Sequence, residues 1–93
     1  MANHKSALKR NRQNSVRRAR NRANRSRVNN AIRAVDAAIT NQTPDEATVA
    51  LQTAIPIIQK VASKGVLHKK NASRKVSRLT IRVNNFLAAQ SAA

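Results

Sequence analysis

Cysteine, tryptophan and tyrosine are absent from the 93-residue chain, glycine and phenylalanine occur once each, and proline twice. Without cysteine there is no disulfide, no thiolate metal site and no thiol nucleophile. A single glycine rules out a glycine-rich phosphate loop. One glycine and two prolines also leave little material for the turns of an all-β protein. The missing tryptophan and tyrosine argue against RNA-binding modules that stack bases on aromatic side chains. No apolar run approaches the roughly 18 residues of a membrane span, so no membrane partner is expected. The opening stretch from Met1 to Lys5 is polar and unlike a signal peptide, which points to a cytoplasmic-type protein.

Acidic residues are nearly missing too. Three Asp+Glu stand against 19 Lys+Arg, a formal net charge of +16. That charge opposes compaction, disfavours a homo-oligomer and calls for a polyanionic partner. The core is thin: hydrophobic types make up 41% of the chain, yet 17 of those residues are alanine. Leu, Ile, Val and Phe together number 20, just above the level of about 20% of a chain below which a highly charged sequence stays disordered. The length allows one small domain. The alanine content favours helix, so the expected fold class is all-α.

The charge is unevenly placed. Residues 1–33 hold 11 Lys+Arg and no acid; residues 34–59 hold Asp36, Asp45 and Glu46 and no Lys or Arg; residues 60–82 hold eight Lys+Arg and no acid. Large apolar residues follow another rule. Apart from Met1, residues 1–27 carry only Leu8 and Val16, and the other 18 fall in 28–87. The single domain therefore divides into a basic arm (1–27), a foldable bundle (28–87) and a loose tail of small residues (88–93).

A first helix is expected from about Lys5 or Ser6 to Thr40. Val28, Ile32, Val35 and Ile39, widened by Ala31 and Ala38, form an apolar stripe at helical spacing. The earlier half is basic all round and has no i,i+4 Glu–Lys pairs, so residues 1 to about 22 are expected to be frayed when free and helical when bound. Thr43-Pro44-Asp45-Glu46 reads as the start of a second helix. Thr43 suits the N-cap, Pro44 the first helical position, and Glu46 completes a capping box. Its core face is Ala47, Leu51, Ala54, Ile58 and Val61, with a kink expected at Pro56. Lys64-Gly65 ends it, Gly65 in the left-handed conformation, with Val66 and Leu67 packed over the corner. In a third helix Ala72, Val76, Leu79, Val83 and Phe86 face a core. Three such helices with short connections imply a three-helix bundle with a long, overhanging basic N-terminal helix.

The candidate binding residues are cations of the two basic blocks. In the first they are Lys5, Lys9, Arg10, Arg12, Arg17, Arg18, Arg20, Arg22, Arg25 and Arg27. Arginine predominates there, and its planar fork matches phosphate oxygens. In the second block Lys70, Arg74, Arg78 and Arg82 recur every four residues, with Lys75 beside them, as a stripe opposite the core face. Asparagines at 11, 14, 21, 24 and 71 can reach backbone or base edges, though each alone reads as a solvent-facing helix residue. His4 and His68 are too few for a metal site, Asp45 and Glu46 are better explained as helix-starters at the positive end of a helix dipole, and no nucleophile–base pair is present. No cofactor and no enzymatic activity are expected.

Several of these stretches are familiar. Ala2-Asn3-His4-Lys5-Ser6-Ala7-Leu8-Lys9-Arg10, then Arg20-Asn21-Arg22 with Ser26-Arg27, then the run from Lys64 to Lys75 continuing through Ser77-Arg78-Leu79, resemble the bacterial small-subunit ribosomal protein S-twenty family. The likeness spans essentially the whole chain in order and is weakest over residues 40–60. It implies a three-helix bundle with a long first helix that binds 16S ribosomal RNA early in assembly of the small (30S) subunit. It further implies a place between the RNA's 5′ domain and its penultimate 3′ stem. On the same likeness Lys5, Lys9, Arg10, Arg22 and Arg27, and then His68, Lys69, Lys70, Asn71, Arg74 and Arg78, are expected RNA contacts. From charge alone, a DNA-packing protein stays open as the alternative.

Overall fold

A computed structural model describes residues 5–92. Met1 to His4 and Ala93 lie outside the described residues, and with them the first part of the N-terminal motif. The chain forms three helices, α1 (Lys5–Thr40), α2 (Pro44–Ser63) and α3 (Lys69–Ala92), with no strand among the described residues. Connections this short make consecutive helices antiparallel neighbours. α2 therefore runs back along α1, and α3 returns parallel to it.

The core is the apolar stripe of each helix brought together. Val28, Ala31, Val35 and Ala38 of α1 meet Ala47, Ala54, Ile58 and Val61 of α2 and Ala72, Leu79 and Val83 of α3. Ile32, Ile39, Leu51, Val76 and Phe86, all expected inside, are half-buried around that centre. Alanine supplies five of the eleven buried apolar residues. Small side chains bring the helix axes close but contribute little apolar area each, so the core is narrow.

The buried line of α1 starts one turn before Val28, at Asn24, which is only 4% exposed. The expectation that Asn24 faces solvent is thus corrected. It occupies the next core position in the 4–3 pattern, where the bundle ends and the arm begins. Among the described residues no fully enclosed side-chain polar atom lacks a partner.

Each connection is held by backbone geometry. At the end of α1 the Thr43 N–H donates to the Ala38 carbonyl at 3.0 Å and the Gln42 N–H to the Ile39 carbonyl at 3.1 Å. This is a Schellman closure, with Gln42 at the left-handed position (φ 57°). α2 ends as expected, with Gly65 left-handed at φ 81°. Val66 and Leu67 are half-buried over that corner. The expected capping box at the start of α2 takes a different form. Thr43 makes no side-chain bond to the helix backbone. Its hydroxyl instead lies 3.1 Å from both the Ala38 carbonyl oxygen and the Glu46 carboxylate. One hydroxyl proton serves one of those acceptors at a time, and the arrangement ties the start of α2 to the end of α1.

α2 runs through Pro56 to Ser63, where it was expected to end. α3 runs further than expected. Residues 88–92, anticipated as a loose tail, are helical although exposed. Ala88, Ala89 and Ala92 explain it, since alanine has the highest helix propensity.

The molecule is long. Its extents are 71 × 23 × 15 Å and its radius of gyration is 18.4 Å, where a compact domain of this length has about 12 Å. The excess comes from residues 5–23 of α1, which run past the other two helices with every side chain exposed except half-buried Ala7.

Candidate nucleic-acid interface

The three sides of the bundle differ in chemistry. α2 packs along both of its neighbours, whereas α1 and α3 touch each other least. Between α1 and α2 lies a groove of about 720 Å³, lined by Ala31, Ala34, Ala37 and Ala38 and on the other side by Val49, Ala50 and Ile57. Asp45 and Glu46 stand at one end, and Arg27 is its only cation. This side is apolar to acidic and does not suit phosphate.

On α1 the side away from that groove is its opposite in charge. Arg18, Asn21, Arg22, Arg25, Ser26 and Asn29 line an open cleft of about 400 Å³. At about 100° per residue, Arg18, Arg22, Arg25, Asn29, Arg33 and Asp36 share an arc of roughly 80°. The line ends at Asp36, whose carboxylate accepts a hydrogen bond from Arg82 of α3 in the one ion pair among the described residues. Arg82 was expected to be a free RNA-binding cation. The structure sets it on the one acid of this side instead, and both partners stay about half exposed, at 50% and 46%.

Other candidates fall into place on these elements. Lys5, Lys9, Arg10, Arg12 and Arg17 are exposed on the overhanging part of α1. Arg20 lies seven residues, two turns, before Arg27 and so shares its side. Lys69, Lys70, Asn71, Arg74 and Arg78 are exposed along α3, and Lys75 is half-buried. The arm passes the end of the bundle where α3 begins, so both basic blocks meet there. His68 has a definite structural task. Its Nδ1 accepts the Lys70 N–H at 3.2 Å, and its carbonyl accepts the Ala72 N–H at 3.0 Å. It is the N-cap of α3, and Nε2 remains directed away from that bond.

Motif reading gave no role to Arg33, which is exposed in the same line as Arg25 and Asn29. The signal was present as an i, i+4 step from Asn29, but Arg33 had been counted with the folding half of the helix.

The fold and these surfaces define a class: a small helical bundle with a strongly basic exposed surface. Comparison with known proteins gives the family. Residues 2–84 match the model of ribosomal protein S20. The chain is 55% identical to the small ribosomal subunit protein bS20 of Desulfotalea psychrophila, over 96% of this chain and 100% of that one. It is 54% identical to the bS20 proteins of Syntrophobacter fumaroxidans, over 90% and 98%, and of Trichlorobacter lovleyi, over 92% and 99%. The chain belongs to the S20 family of small-subunit ribosomal proteins.

Proposed function

We propose that this chain is a structural constituent of the small ribosomal subunit that binds 16S ribosomal RNA directly, between the 5′ domain and the penultimate 3′ stem, and supports early assembly by bridging phosphate backbones. The observation that carries the reading is the sign-pure basic surface, in which the arm and α3 present cations on exposed helix and the one acid nearby is paired with Arg82. Membership of a small-subunit ribosomal protein family supports ribosomal RNA as the polyanionic partner. The contacts are the candidate cations of the arm and of α3 named above, with His68 and Asn71 beside them. The arm reaches one RNA element while the bundle holds another. The domain division follows from the same picture: an arm that is helical on RNA, and a bundle that is folded without it.

Phosphate neutralisation releases condensed counterions. For 6–10 contacts, affinity for transcribed 16S RNA falls about 10³–10⁵-fold between 50 and 200 mM salt. Filter binding across that range tests it, and a nearly flat curve would refute direct phosphate binding. Competition with duplex DNA separates this reading from DNA packing: structured RNA should displace DNA, and the reverse result favours a general packing role.

A further inference from the structure

The cations of the two basic blocks were expected to form two separate surfaces. The geometry points to a single valley that they share. α3 is parallel to α1, and the Arg82–Asp36 pair fixes their register. Counting back from that pair at equal rise sets Lys75 beside Asn29 and Asn71 beside Arg25. Lys75 is half-buried, while Arg25, Asn29 and Arg78 are exposed along the two edges. The sparse contact between α1 and α3 leaves the valley open, and it continues past the start of α3 as the cleft at Arg18 and Arg22.

We infer that this valley seats the sugar–phosphate backbone of one RNA element, held by both basic blocks at once. The inference rests on the RNA-binding reading above and adds a direction to it. Charge complementarity selects the occupant. The valley has cations on both edges and its only acid is paired with Arg82, whereas the groove on the other side of α1 has Asp45, Glu46 and one arginine. A protein segment seeking apolar contact would choose the second. Phosphates recur regularly along a strand, which suits edges on which cations recur every one or two turns. The arm before Arg18 then extends beyond the valley towards the second RNA element.

The test compares two full-length variants with the same charge loss. One removes valley cations, Arg25→Gln and Arg78→Gln. The other removes cations outside the proposed contacts, Lys60→Gln and Lys64→Gln. All four side chains are exposed, and circular dichroism checks that both pairs keep the wild-type helix content. The single Lys75→Gln variant probes the half-buried cation between the two edges. Affinity for transcribed 16S RNA is measured against salt. Two lost phosphate contacts lower the slope of log affinity on log salt by about 1.8, the control by less than about 0.5, and Lys75→Gln alone by about 0.9. Equal losses in the two pairs, with a steep wild-type slope, would overturn the valley and leave RNA binding standing. A flat wild-type slope would remove both.

Discussion

Two residues with left-handed backbones make the sharpest statements at the residue scale. Gly65 (φ 81°) has nothing within 4 Å of where a Cβ would sit, so its value is conformational. Gly65→Ala should therefore cost about 1 kcal/mol through backbone strain alone, seen as a Tm lower by about 4–8 °C. An unchanged Tm would mean the corner is not held in this conformation. Gln42 (φ 57°) does the same work at the other corner without glycine's freedom. Gln42→Gly should raise stability by about 0.5–1 kcal/mol, the relief of strain being partly offset by a freer unfolded chain; urea unfolding that gives no gain or a loss would contradict this. The first corner was legible because glycine marks it. The second was not, because glutamine at a left-handed position is dictated by the Schellman bonds and leaves no mark in composition. Asn24 and Arg82 were misjudged for one shared reason. Residue type suggested solvent and phosphate, whereas position in the fold gave one a place in the core and the other an acid 46 residues away.

At the scale of the elements, periodicity identified all three helices, because each has an apolar stripe that tertiary packing uses. What periodicity could not show was which side of α1 meets which neighbour. A helix basic on every side has no internal clue to its rotation, and only the Arg82–Asp36 pair and the two clefts supply it. The arm is an element without a packing partner of its own. Its helix rests on local propensity, marginal for isolated segments of this length, and on cations that repel one another. Free in solution, residues 5–22 should be largely unfolded, and the magnitude of the ellipticity at 222 nm should rise by roughly 30% when RNA is added, after subtracting the RNA signal. A free protein already showing the full content of 36, 20 and 24 helical residues would contradict coupled folding. Deleting residues 5–20 should leave the bundle's Tm within about 2 °C, since these residues contribute no buried side chain, while cutting the salt slope of RNA binding.

For the whole molecule, the +16 charge acts on folding and on binding with opposite signs. Within the free bundle like charges on α1 and α3 face each other across the valley, and a single half-exposed ion pair, worth only about 0.2–1 kcal/mol, offsets them. With a thin, alanine-rich core, that repulsion is a sizeable fraction of a marginal stability. Screening relieves it. The Debye length falls from about 30 Å at 0.01 M to about 3 Å at 1 M salt, from longer than the valley is wide to less than the reach of one arginine. Added salt should therefore raise the Tm of the free protein, by several degrees between 10 and 500 mM chloride, over the same range in which it weakens RNA binding. Replacing chloride with sulfate must be avoided, since sulfate strengthens apolar burial by itself. The two responses have one cause, so the valley variant lacking Arg25 and Arg78 should show both diminished: a higher Tm at low salt, a smaller gain with salt and a shallower binding slope. Differential scanning calorimetry of the RNA-free protein and its valley variant decides the matter. If wild-type Tm falls or stays level as chloride rises, the charges do not strain the free fold, and RNA is not relieving that repulsion when it binds.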